Sequence, residues 1–164
     1  MTNKTRSVVM TAVFTAIIFV LTAILHIPAP SGYVHLGDAI LYISAIILDM
    51  PWAIIAGALG EGLADVAGGF AMYLPATIII KAVAALLFVS VRNRENRLLT
   101  KYTVFMTLPA AIVTVGGYFA ADLLISREFA VADILGNTVQ ALSSAVIFIF
   151  LAAALDKINI KDKI

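Results

Sequence analysis

The sequence predicts an all-α integral membrane protein, a bundle of six transmembrane helices in a single domain, residues 1–164, with both termini in the cytoplasm. Three observations carry that prediction. First, 62% of the 164 residues are hydrophobic and mean hydropathy is +1.05, where a soluble domain is about 45–50% apolar. Second, six segments are apolar enough to enter a bilayer, roughly 7–25, 36–48, 51–68, 73–91, 103–125 and 132–155. Third, the basic residues fall on one side. With the N-terminus inside, Lys4, Arg6, Arg92, Arg94, Arg97, Lys101, Lys157, Lys161 and Lys163 are all cytoplasmic, which is nine of the eleven Lys and Arg. Arg127 is then outside and Lys81 lies within the membrane.

The first segment follows Lys4 and Arg6, as a signal peptide would. Its apolar run, Val8 to Leu25, is longer than a signal core of about 7–15 residues, so it is read as a retained helix. Ala12, Ala16 and Ala23 fall on one stripe of it. Small-residue stripes let helices approach closely in lipid, either within the chain or against a partner. The loop HIPAPSGYVHLGD, His26 to Asp38, is external by this topology, and Pro28, Pro30 and Gly32 make it non-helical. Its Tyr33, His35 and Asp38 suit stacking and hydrogen bonding, so the loop could cap a pocket. His35 and Asp38 without a third ligand do not make a metal site.

The second segment is short against the roughly 20 residues a span needs. It either tilts or reaches only part way, with Asp49–Pro51 as the turn. The third segment carries a second stripe, Ala53, Gly57, Gly60 and Ala64.

From Ala56 to Leu86 the chain is apolar yet holds Glu61, Asp65 and Lys81. Ionisable groups at membrane depth cost about 2.5–3.5 kcal/mol each and persist where they face protein or water. Gly68–Pro75 breaks this stretch into two arms. Glu61 and Lys81 then lie at matching depth on adjacent helices, roughly 10–12 Å below the break. Two roles are open to such a pair. It can be scaffold, or it can line a water-filled cup; further polar groups at the same level favour the cup.

The fourth connection, RNRENRLLTKY, is basic and sets topology, with contact to anionic lipid as an extra. The fifth span aligns Thr114, Tyr118 and Asp122; the sixth aligns Asp133, Asn137, Gln140 and Ser144. All these groups lie in the outer half. The inner halves, IIIKAVAALLFV and AVIFIFLAAAL, are nearly featureless. The pattern describes a cup open to the outside and closed within.

The absent chemistry narrows the function. There are no cysteines, which removes disulfides, thiolate nucleophiles and Cys-bound metals. No phosphate-binding loop and no dinucleotide fingerprint occur, nor HExxH or GxSxG. Glu61 and Asp65 stand at i, i+4, but no nucleophile or metal accompanies them. The chain is therefore read as a binder rather than an enzyme, with no cofactor and no metal. A net charge of +1 offers nothing to nucleic acid.

Six spans in a chain of this length, the AxxxA of Ala12 and Ala16, and GYVHLGDAILYISA followed by GALGEGLADVAGG together resemble the substrate-binding S component of an energy-coupling factor (ECF) vitamin transporter. The branch resembled takes riboflavin, pyridoxine or hydroxymethylpyrimidine. The resemblance implies a subunit of a bacterial plasma-membrane ABC-type transporter that captures a B vitamin or precursor from outside. It also implies partners: a transmembrane coupling subunit and two cytoplasmic ATPase subunits. In that family the first-span alanines touch the coupling subunit, here Ala12 and Ala16 with Ala23 beyond. The first external loop closes over the ligand, here Tyr33, His35 and Asp38. The later spans supply most contacts, which adds Tyr73, Tyr118, Asp122, Asn137 and Gln140 to the embedded Glu61, Asp65 and Lys81. Where that repeat would continue, position 20 is Val. The competing reading is a stand-alone secondary carrier that uses Glu61 and Asp65 as proton sites. A Lys, two carboxylates, an Asn and a Gln suit a small heterocycle, so pyridoxine or hydroxymethylpyrimidine is expected ahead of riboflavin.

Overall fold

The computed structural model describes residues 3–29, 32–92 and 95–163. Pro30 and Ser31 of the first external loop and Arg94 of the basic connection lie outside them. Helix α1 spans Asn3–Ala23 and leads into strands β1, His26–Ala29, and β2, Gly32–His35. Helices α2 (Gly37–Ile47) and α3 (Trp52–Ala67) follow, then a 3-10 turn at Ala71–Tyr73 and α4 (Leu74–Val89). Helices α5 (Lys101–Leu123), α6 (Arg127–Lys157) and the short α7 (Ile160–Lys163) complete the chain.

The chain is predominantly helical, consistent with the all-α membrane protein expected, with one short hairpin beside the helices. The loop expected to be non-helical forms an antiparallel hairpin that pairs His26 with His35, Ile27 with Val34 and Pro28 with Tyr33. Ile27, Tyr33 and Val34 favour extended backbone. A two-stranded ribbon has only edges, so it tolerates the missing donor of Pro28.

Among the described residues, four stretches are long and apolar enough to cross a membrane: Lys4–Ala23, Ala71–Val89, Lys101–Leu123 and Arg127–Lys157. The second and third of the six expected spans are shorter, with 11 residues in α2 and 16 in α3. At 1.5 Å per residue α2 is only about 16 Å long. It sits inside the bundle rather than against lipid, with nine of its eleven residues buried. Helix α6 starts at Arg127, ahead of the expected 132. The Ser126 side chain caps it by accepting from the Phe129 N–H at 3.1 Å, and Glu128 stands in its first turn. Pro109 lies within α5 without ending it, as membrane helices allow.

Below the hairpin end, α2, α4 and α6 meet through three rings. Tyr42 and Phe88 stack at 4.3 Å between centroids, and Phe148 meets Phe88 edge-on at 5.4 Å. The stripe of Ala53, Gly57, Gly60 and Ala64 is buried and packs within the chain. At Gly60, α3 approaches α1 so closely that an added Cβ would lie 2.6 Å from Ile18 Cγ2. The α3–α4 turn needs Gly69, whose φ of 85° favours glycine.

These packings yield a prediction. Gly60→Ala overfills the α1–α3 contact and should cost about 1–3 kcal/mol, read as a lowered midpoint of thermal unfolding in detergent. Gly116→Ala, where a Cβ meets nothing within 4 Å, should leave the midpoint unchanged or raise it.

Candidate functional site

The polar side chains converge at the hairpin end of the bundle, around a cavity of ≈ 50 Å³. The hairpin supplies Tyr33 and His35 to its wall, α3 supplies Asp65, and the α3–α4 break supplies Phe70 and Tyr73. Helix α5 adds Tyr118 and Asp122, and α6 adds Asp133, Asn137 and Gln140. Helical spacing explains the last two sets. Residues at i, i+4 and i+7 share a face, and packing against α4 and the hairpin turns those faces inward.

Hydrogen bonds hold the hairpin down. The Tyr33 hydroxyl donates to Asp65 Oδ1 at 2.8 Å, and Thr77 Oγ1 donates to Asp65 Oδ2 at 2.6 Å. Thr77 also lies 3.1 Å from the Tyr118 hydroxyl. The Tyr33 ring rests edge-on against Phe70, with centroids 5.3 Å apart. Across the cavity the Tyr73 hydroxyl donates to Asp122 Oδ1 at 2.6 Å. The other oxygen, Asp122 Oδ2, has no hydrogen-bond partner, although the residue is only 1% exposed.

Behind this wall lies a sealed ionic cluster. Lys81 Nζ is 2.7 Å from Asp38 Oδ1 and 3.0 Å from Glu61 Oε2. All three side chains are buried. Gln140 joins the cluster to the lid. Its Nε2 donates to Asp38 Oδ2 at 3.1 Å, and its Oε1 accepts the His35 backbone N–H at 3.2 Å. His35 Nδ1 accepts from the Gly37 N–H at 3.2 Å, so the ring proton sits on Nε2, 3.5 Å from Glu61 Oε2. Burial, with the Lys81 charge, pushes the His35 imidazole down to about 3, and it is neutral at physiological pH. Burial and the facing Asp65 push the Tyr33 phenol well above its ordinary value.

A profile of the family described as ECF-type riboflavin transporter, S component, matches residues 2–157. The chain belongs to that family. It is thus a substrate-specific subunit of an ECF transporter and a membrane-embedded protein, from a family of transporter subunits rather than enzymes. No curated protein matches the chain.

In this S component the sequence-predicted residues divide into three groups. Tyr33, His35, Asp65, Tyr73, Tyr118, Asp122, Asn137 and Gln140 come together on the cavity wall. Asp38, Glu61 and Lys81 also come together, but one layer behind it. The Glu61–Lys81 pairing inferred from matching depth is present. The outside water expected around it is not, because Lys81 is 0% exposed and Glu61 1%. The hairpin lies over the cup, seated by Tyr33 on Asp65 and by His35 on Gln140. Ala12 and Ala16 are exposed on the flank, in an apolar groove between α1 and α3 that shares no lining residue with this wall. Ala23 is half-buried and stands apart from that groove.

Three contributors were missed as site residues. Asp133 was visible on the α6 polar line. Thr77 stands four residues before Lys81, on the same face of α4, which is a readable signal. Phe70 gave no signal beyond being aromatic within the break.

The cluster makes a stability prediction. Lys81→Met strands two buried carboxylates and should cost about 3–5 kcal/mol, seen as a large fall in thermal midpoint. Adding Glu61→Gln should restore only part of the loss, because Asp38 stays unpaired. The triple variant Asp38→Asn/Glu61→Gln/Lys81→Met should restore more.

Proposed function

We propose that this subunit captures a small B vitamin or vitamin precursor at the outer face of a bacterial plasma membrane, with pyridoxine or hydroxymethylpyrimidine ahead of riboflavin. The observation that carries the reading is the hairpin-capped polar cavity, closed beneath by the Tyr42–Phe88–Phe148 cluster. Such a site holds a solute at one membrane face and offers no through-path. The contacts proposed are Tyr33, Asp65, Tyr73, Tyr118, Asp122, Asn137 and Gln140. His35 closes the lid, and Asp38, Glu61 and Lys81 brace the wall from behind. A cavity of ≈ 50 Å³ is far below the roughly 300 Å³ or more of an occupied ligand site. Binding therefore requires the hairpin to lift, and a smaller ring system demands less displacement than a fused tricycle.

In this reading the whole chain is one transmembrane domain that crosses the membrane six times with both termini inside. Its charge distribution supports that orientation. Uptake is driven by partners: a transmembrane coupling subunit and two cytoplasmic ATPases. The groove between α1 and α3 suits the coupling subunit. It is almost wholly apolar, and Ala12 and Ala16 leave its floor open to a close-packed helix.

The test is uptake of labelled pyridoxine or hydroxymethylpyrimidine into vesicles that hold this chain with the coupling subunit and ATPases. Accumulation should require ATP. Ala16→Trp should abolish it while leaving ligand affinity of the purified chain within about twofold, since the groove shares no lining residue with the cavity. Gradient-driven uptake by the chain alone would overturn the proposal in favour of a secondary carrier.

A further inference from the structure

Five carboxyl groups face or back the cavity: Asp38, Glu61, Asp65, Asp122 and Asp133, each no more than 8% exposed. Lys81 is the one ammonium among them, and Asp38 and Glu61 already share it. Among the described residues no Lys or Arg lines the cavity. His35 adds no charge, because its imidazole is held neutral. Asp65 has a hydroxyl donor on each oxygen, from Tyr33 and Thr77. Asp122 differs: one oxygen takes the Tyr73 hydroxyl, and the other is buried at the cavity wall with no partner. Asp133 lines the same wall. A buried anion is costly unless it is paired or fully hydrogen-bonded. An entering cation would relieve this field, and an entering anion would add to it. The rings of Tyr33, Tyr73 and Tyr118 also offer faces to a cation.

We propose that the pocket selects by its carboxylates: it takes an aromatic heterocycle bearing an amino group, whose N–H groups seat on Asp122, and rejects phosphate esters and carboxylates. This rests on the transport reading above and names the ligand class for the same site. Asp122 is the specificity-determining residue, and Asp133 reinforces the field around it. The ligand's N–H fills the vacant lone pairs of Asp122 Oδ2, while Tyr73 fixes the carboxylate plane through Oδ1. A phosphate ester of the same heterocycle would meet three carboxylates at the wall and no compensating base.

Calorimetric titration of the purified full chain at neutral pH tests this with five probes. They are pyridoxamine, 4-amino-5-hydroxymethyl-2-methylpyrimidine, pyridoxine, riboflavin and pyridoxal 5′-phosphate. The amino-bearing probes should bind about tenfold or more tighter than pyridoxine, and the phosphate ester should not bind. Asp122→Asn should weaken the amino-bearing probes by about ten- to a hundredfold, as expected for a lost charged hydrogen bond, and pyridoxine by much less. Asp133→Asn should act in the same direction more weakly, and it serves as the second variant should Asp122→Asn fold poorly. Tightest binding by the phosphate ester would overturn charge selection alone; tightest binding by riboflavin would overturn charge selection and the proposed substrate order, and leave the transport role standing. Equal losses for pyridoxamine and pyridoxine in both variants would overturn the role of the carboxylates. Silence from every probe would overturn both proposals.

Discussion

A lysine sealed from water between two carboxylates is the constraint on which the rest of this structure depends. An ammonium in a dry interior persists only when its charge and its donors are matched. Lys81 is matched by Asp38 at the start of α2 and by Glu61 in the middle of α3. Those two contacts set the height of α2 and α3 relative to α4. The second oxygen of Asp38 then orients the Gln140 amide on α6, and that amide receives the backbone of the hairpin at His35. Three helices, the lid and the back wall of the pocket thus take their register from one side chain.

The polar layer divides the molecule by function. On its hairpin side, carboxylates, tyrosines and amides bond mostly to one another, and Asp122 Oδ2 is left without a partner. On its other side, Tyr42, Phe88 and Phe148 close the bundle with rings. The flank between α1 and α3 has a third character, an apolar groove with Trp52 and Leu59 on its walls. In the proposed reading, binding, closure and partner contact therefore occupy separate surfaces. A change at one need not disturb the others, which is what a subunit that hands its solute to a separate motor requires.

Much of this was legible in the sequence, for identifiable reasons. Ionisable residues in apolar helices are expensive, so Glu61, Asp65 and Lys81 stood out, and their spacing from the Gly68–Pro75 break gave the Glu61–Lys81 pairing. Helical periodicity likewise aligned Tyr118 with Asp122, and Asn137 with Gln140. Contacts set by long-range packing were not legible. Asp38 reaches Lys81 across 43 positions, and local spacing carries no trace of that. The hairpin was hidden because its prolines read as irregular loop and its tip lacks the Asn-Gly or Asp-Gly signal. The brevity of α2 was visible, but its enclosure by the bundle was not, since a buried helix and a membrane helix share the same apolar composition. The sealing of Lys81 escaped for a related reason. Polar neighbours at one depth fit a wet cup and a dry network equally well, until the lid is seen to close over them.

The most direct test of the account asks whether ligand enters beneath the hairpin from outside. The natural chain has no cysteine, so single cysteines report without background. Asn137→Cys puts a thiol on the cavity wall, and Leu124→Cys puts one on an exposed position, 90% accessible, away from that wall. Both would be modified by a membrane-impermeant maleimide added to intact cells. The account predicts slow external modification of Cys at 137, suppressed by saturating vitamin, and fast modification at 124 that vitamin does not change. Modification at 137 that a bound vitamin leaves unchanged, or that occurs only from the cytoplasmic side, would contradict it.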